Sequence, residues 1–265
     1  DFNYVMTVGQ NEVSANYYKS IGNTEYDSFG SNLNQNHRDN HLKLNLNHVY
    51  DNSYLDLFYV KKTNEINQAA LSATDYTHTK INTFGFEYTI AGNESNHTLI
   101  GMGYDDEAMY ELSYGTSFKH TNKIKQAYIS STHKISEKLQ TNFGIRSQNH
   151  TTYDNFISGN VGINYYLNQS FVISSSLAKS FRAPDATDLF GYGGNSKLNP
   201  EESRASEISM RYKVSDNESF ASTLFHNKIT NLIESDGTKM QNINKAKIYG
   251  IDISYEKYVN NKKLD

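Results

Sequence analysis

Apolar side chains in this chain recur at every second position, and no window shows the 3.6-residue stripe of an amphipathic helix. Leu42, Leu44 and Leu46 follow this rhythm, as do Phe84, Phe86, Tyr88 and Ile90. So do Val161, Ile163, Tyr165 and Leu167, then Phe171 and Ile173, then Ile208, Met210, Tyr212 and Val214. The residues between them are mostly Asn, Ser, Thr, Lys, Gly or Glu. Successive side chains of an extended strand point to opposite faces, so each run is a strand with one apolar and one polar face. The pattern predicts an all-β fold without major helices.

The connections are sorted as well as the faces. One set is short and built of turn formers: 9–12, 51–53, 92–95, 136–138, 168–169, 215–218 and 260–262. The interleaved set is mostly longer: 25–39, 63–78, 105–121, 149–155, 182–203 and 234–245. In an antiparallel meander alternate connections fall at opposite ends, so one end has tight turns and the other carries large loops. Transmembrane β-barrels have that asymmetry, and a soluble sandwich or propeller has no reason for it. About thirteen strands of roughly 9 to 13 residues fit the chain, long enough to cross a bilayer at a tilt.

Composition agrees. Hydrophobic residues are only 37%, with mean hydropathy −0.70, yet aromatics reach 13% and there are only two prolines. Disordered chains are equally polar but poor in aromatic and β-branched residues. A membrane barrel needs apolar side chains on its lipid face alone, which reconciles low hydropathy with a membrane location. No apolar run approaches the length of a membrane-crossing helix. Net charge is −4 with no Lys/Arg run, which excludes a broad nucleic-acid surface. Cysteine is absent, so no thiolate chemistry or cysteine metal site enters. No nucleophile elbow, zincin helix or phosphate loop occurs, and His37 and His41 fall in a long polar loop and the start of a strand, where four-residue spacing does not converge, so neither an enzyme nor a metal centre is predicted.

Residues 170–208 carry a specific motif. A strand ends Ser180-Phe181-Arg182-Ala183-Pro184, Asp188-Leu189-Phe190-Gly191 follows, and Asn195 to Ser203 reads Asn-Ser-Lys-Leu-Asn-Pro-Glu-Glu-Ser. Both prolines lie here and close one strand before the next begins. Downstream come Asn231-Leu232-Ile233, then Asn242 to Asn244, then Ala246-Lys247-Ile248-Tyr249-Gly250-Ile251-Asp252. In order and spacing the two blocks resemble the barrels of TonB-dependent outer-membrane receptors, nearest to the cobalamin (vitamin B12) branch; for the first two thirds of the chain the resemblance is of pattern only.

That resemblance implies an antiparallel up-and-down transmembrane barrel, of which residues 1–265 supply about thirteen of 22 strands. An unpaired sheet edge does not survive in lipid, so closing strands are expected after Asp265. The plug domain and its TonB-contacting segment are expected before Asp1. The implied function is active import of a scarce, bulky nutrient, cobalamin-like or a metal chelate, across the outer membrane of a Gram-negative bacterium. Its partners would be outer-membrane lipid, the TonB system reached through the plug, and a small-molecule ligand. Two other readings stay open at this point, a passive porin-like channel and a soluble all-β binding module.

Aromatic rings on loops offer large contact area with few rotors, so Phe190, Tyr192, Tyr104 and Tyr110 are the candidate ligand-binding residues, with Tyr114 beside them. Arg182, Asp185, Asp188, Glu201, Glu202 and Arg204 are expected to pair and fix the base of the loop. Some cobalamin receptors order outer loops with calcium. Asp27, Asp39, Asp105, Asp106 and Glu107 are of the right type for it, but 25–39 is mainly Asn and Ser, so no cofactor or metal is predicted.

Overall fold

In the computed structural model, which describes residues 1–28, 31–69, 74–93, 95–153, 155–259 and 262–264, the chain forms one 14-stranded antiparallel sheet in which every strand pairs with its sequence neighbours. The strands are β1 (Phe2–Val8), β2 (Asn11–Ser28), β3 (Ser31–Tyr50), β4 (Ser53–Ala69), β5 (Thr74–Asn93), β6 (Asn96–Ser113) and β7 (Thr116–Ser136). Then follow β8 (Leu139–His150), β9 (Asn155–Tyr166), β10 (Phe171–Arg182), β11 (Glu201–Ser215), β12 (Glu218–Ser235), β13 (Met240–Val259) and β14 (Lys262–Leu264). A five-residue helix, α1 (Ala186–Phe190), interrupts the connection between β10 and β11. Among the described residues β1 and β14 do not pair with each other.

Register turns the period-two pattern into a belt. Val13, Leu46, Leu57, Phe86 and Met102 are successive cross-strand partners over β2 to β6, and all are exposed. Ile208, Leu224 and Ile251 make the equivalent row over β11 to β13. Such a row is what lipid would cover. The other face is polar: Thr83 Oγ donates to Asp105 at 2.6 Å, and the Tyr128 hydroxyl donates to Glu87.

Two expectations need correction. The sheet has 14 strands rather than thirteen, and most strands are far longer than 13 residues: β3 and β5 have 20 and β7 has 21. The segments 25–39, 63–78 and 105–121 are mostly strand, not loop. At about 3.3 Å per residue β7 extends for roughly 70 Å, far more than a tilted crossing of the apolar band needs. Above the belt both faces are wet, so alternation stops while the hydrogen-bond ladder continues. At that level Asn23 donates to Asn36 across the β2–β3 hairpin at 2.9 Å. The β6–β7 connection shrinks to Tyr114 and Gly115, both at positive φ, as a tight hairpin turn requires. Residues 29–30, 70–73, 94, 154 and 260–261, on which parts of other expected connections fall, lie outside the described residues.

Candidate ligand-facing mouth

One connection is long. Residues 183–200, here called the strap, leave β10 at the long-hairpin end and return into β11. Pro184 sets an extended entry, and Asp185 then caps α1, accepting from the Asp188 amide at 2.8 Å while the Asp188 carboxylate accepts from the Asp185 amide. Leu189 and Leu198 bury against Ile233 of β12, with Tyr153 and Met240 at the edge. Burial, and then the Asp188 carboxylate, push the Tyr153 phenol up. In a molecule with few buried apolar residues this small cluster is a local core.

Polar contacts fix the strap on one side. The Arg182 guanidinium forks, reaching Asp188 and Glu201 at 3.0 Å each. Glu201 also accepts from the Ile233 amide at 2.8 Å. Asn242 uses its whole amide: it accepts from the Asn199 N–H at 2.8 Å and donates to the Asn199 and Asn231 carbonyls at 2.9 and 2.7 Å. Gly193, at φ 71°, presents its carbonyl to the Met240 amide at 2.7 Å. The two sequence blocks are therefore the two sides of one contact. Of the expected rim charges, Arg182, Asp188 and Glu201 pair as anticipated, Asp185 caps α1, and Glu202 pairs instead with Lys179 at 3.3 Å.

On its other side the strap reaches the β6–β7 hairpin. Thr187 Oγ donates to Glu111, a buried carboxylate, at 2.9 Å. The Phe190 ring lies 4.9 Å from that of His120 and 6.0 Å from that of Phe118. Tyr192 meets Tyr114 at 5.3 Å, with both rings largely exposed. Glu111, Phe118 and His120 belong to the face opposite the belt, so the strap crosses the inner side.

Of the candidate residues, Phe190 and Tyr192 come together here, with Tyr114. Tyr110 does not: it alternates with Glu111 onto the outer face of β6, where the Lys119 ammonium lies 5.1 Å from its ring. The placement of Tyr104 in a loop is corrected, because it sits mid-strand in β6 opposite Phe84, in the belt. The sequence reading missed Glu111, Thr187, His120 and His150, although the parity of β6, β7 and β8 marks all but Thr187 as inward. The calcium candidates are dispersed: Asp39 lies on β3 and accepts from Asn64, and Asp105, Asp106 and Glu107 lie on β6. The side chain of Asp27 is outside the described residues. Among the described residues no three His, Asp or Glu side chains form a metal-binding group.

Residues 1–262 match the family model "TonB dependent receptor-like, beta-barrel". Among curated proteins, the vitamin B12 transporter BtuB of Vibrio vulnificus is 28% identical over 215 residues, covering 74% of this chain and 33% of that protein. Among solved structures, the siderophore receptor PirA of Acinetobacter baumannii superposes with a TM-score of 0.77 at 15% identity, covering 95% of this chain and 49% of that one. The ferric-catecholate import receptor Fiu of E. coli K12 gives 0.72 at 14%, covering 95% and 53%. The chain thus spans a third of the curated relative and about half of the solved ones.

Proposed function

Because the chain belongs to the TonB-dependent receptor-like β-barrel family, a family of outer-membrane barrels, we propose that the whole protein is an active importer. It takes a bulky, scarce nutrient at the strap-covered mouth and passes it to the periplasm, driven by TonB through a plug domain. The relatives that the chain matches are transporters and receptors by name, not enzymes. The observation that carries the reading is the strap itself: a structured connection, anchored on two walls, that holds Phe190 and Tyr192 over the inner face. Broad rigid rings suit a large ligand with apolar flanks.

Cobalamin is the first ligand to test, since the curated relative is named as a vitamin B12 transporter; a metal chelate is the second, on the names of the fold relatives. The test is uptake of labelled cyanocobalamin, then of ferric catecholates, by cells producing the full-length protein, with and without the proton-motive force. Energy-dependent uptake that falls at least tenfold in Phe190→Ala with Tyr192→Ala is expected. Uptake indifferent to energy and to both rings would mean a passive channel instead.

A further inference from the structure

On the outer face of β10 to β13, register brings cations together. Lys179 is the cross-strand partner of Arg204, Arg204 of Lys228, and Lys228 of Lys247. Among the described residues no other Lys or Arg stands directly opposite a Lys or Arg. Elsewhere on this face cations meet acids, as Arg38 meets Glu65 and Lys123 meets Asp106. Directly opposed side chains have Cβ atoms about 4.5–5.5 Å apart, and like charges at that spacing repel. The row covers three inter-strand steps of about 4.8 Å, roughly 14 Å in all.

The chain does little to neutralise this row. Glu202, on the same face of β11, is taken by Lys179, and Lys245, of the same parity as Lys247 on β13, adds another cation. Among the described residues Arg204, Lys228 and Lys247 take part in no ion pair, so Arg204 does not join the charges that fix the strap. Arg204, Lys228 and Lys247 share the parity of Ile208, Leu224 and Ile251 in the belt. They lie about 13 Å further along their strands, toward the long-hairpin end, which in membrane barrels is the extracellular one. A groove of about 540 Å³ is lined by the apolar Ile145, Val161 and Leu177 together with Lys179, Arg204 and Lys228. Through Leu177 and His226 it continues into a second, of about 520 Å³, over Leu224 and Ile251.

We infer that this face is a docking site for an outer-leaflet lipid that carries two phosphates. Its acyl chains lie in the grooves, over Leu177, Leu224 and Ile251. One phosphate is shared by Lys179 and Arg204 and the other by Lys228 and Lys247, because a single phosphate does not span a row roughly 14 Å long. Each phosphate turns a repulsive pair into two charge-assisted contacts. The site is on the outside of the barrel, separate from the strap-covered mouth, and does not depend on which nutrient the protein imports.

The test is native mass spectrometry of the delipidated, detergent-purified full-length protein titrated with bisphosphorylated lipid A. Monophosphoryl lipid A and phosphatidylglycerol serve as single-phosphate lipids, and inorganic pyrophosphate as the phosphates without chains. Saturable binding of bisphosphorylated lipid A at least about tenfold tighter than either single-phosphate lipid, undisturbed by equimolar pyrophosphate, is expected. Arg204→Gln with Lys228→Gln should weaken it at least about tenfold, as loss of a charged hydrogen bond does. Lys61→Gln with Lys80→Gln, which removes two cations from the same face on β4 and β5, should leave it unchanged. Stability gives a second reading of opposite sign. Without lipid the Arg204/Lys228 variant should melt no lower than the parent, since repulsion is relieved, whereas lipid A should raise the Tm of the parent alone. Equal affinity for lipids with one and two phosphates, displacement by equimolar pyrophosphate, or full lipid A affinity in the folded Arg204/Lys228 variant would overturn the inference and leave the row as ordinary interfacial charge. Should that variant fail to fold, the comparison of the four probes on the unaltered protein decides.

Discussion

Replacing Arg182 with methionine keeps the stem of the side chain and removes only the guanidinium. Two 3.0 Å ion-pair hydrogen bonds disappear. Asp188, with its side chain 12% exposed, keeps the Asp185 amide, and Glu201, at 13%, keeps the Ile233 amide. Stripping the partner from a fully buried pair costs about 3–5 kcal/mol, whereas a surface pair is worth about 0–1. Here the carboxylates are nearly buried but the guanidinium is 46% exposed, so about 2 kcal/mol is the expected loss. The strap, rather than the barrel, bears it, because none of these groups lies in the ladder of β1 to β9. At 1.4 kcal/mol per factor of ten, the open population of the strap should rise about 30-fold. Native-state hydrogen exchange reads this directly at the Asn195 amide, bonded to the Asp188 carbonyl, and the Met240 amide, bonded to the Gly193 carbonyl. Both should exchange about 30-fold faster while amides in β4 and β5 stay unchanged. Arg182→Lys, which can satisfy only one carboxylate well, should fall between. Unchanged exchange at Met240 in Arg182→Met would show that the fork does not hold the strap, and the account of the anchored side would fail.

Other consequences can be checked separately. Asp236, in the β12–β13 connection, accepts from the Thr238 hydroxyl and the Lys239 and Thr238 amides, which hold its carboxyl well below the usual carboxylate range. The order this contributes is therefore complete above the unfolded value of about 3.9 and is lost only as pH falls through the depressed folded value; a carboxyl NMR titration of Asp236 with an ordinary midpoint would refute it. Gly85 lies under the Phe58 ring, and an added Cβ would sit 2.0 Å from its tip. Gly85→Ala must swing that ring off the inner wall, which should cost about 1–3 kcal/mol in denaturant unfolding from micelles; a stability equal to the parent would mean the ring moves freely. Tyr104→Ala should leave ligand uptake untouched and lower only stability in the bilayer, since the ring belongs to the belt; a loss of uptake at normal folding would return Tyr104 to the ligand site.

What could be read from sequence follows from what alternation reports. A side-chain period of two is visible only where one face is apolar and the other is not, so Phe84-Gly85-Phe86 declares both a strand and its outer face. The Asn- and His-rich stretch from Asn32 to His41 is strand as well, but the backbone ladder there leaves no mark on side-chain type. Parity extended one step beyond the belt would have placed Glu107 and Glu111 inside and Tyr104 and Tyr110 outside. The Thr187–Glu111 contact joins residues 76 apart, and no local pattern encodes which wall a loop will reach. Both ends of the strap's anchored side were visible as motifs; that they bind each other was not.

That mutual binding leads to a last prediction about whether the strap moves as one body. Asn242 makes three hydrogen bonds to backbone atoms of Asn199 and Asn231, at the return end of the strap, while Arg182 grips the entry end near α1. Between them lies the Leu189, Leu198 and Ile233 cluster, which cannot be half exposed without losing most of its burial. If the cluster couples the ends, Asn242→Ala removes bonds worth about 1 kcal/mol each, less what water restores at this exposed site. It should then accelerate exchange at the Leu189 amide, bonded to the Asp185 carbonyl at the entry end, by the same factor as at Met240, and Arg182→Met should add to it at both amides. If the ends fray separately, each variant will act only on its own neighbourhood. The first pattern makes the strap a two-state element that a bound ligand can bias as a unit, because any contact to Phe190 or Tyr192 then stabilises every bond in it. The second would confine a ligand's influence to the tip and remove the strap as a candidate gate.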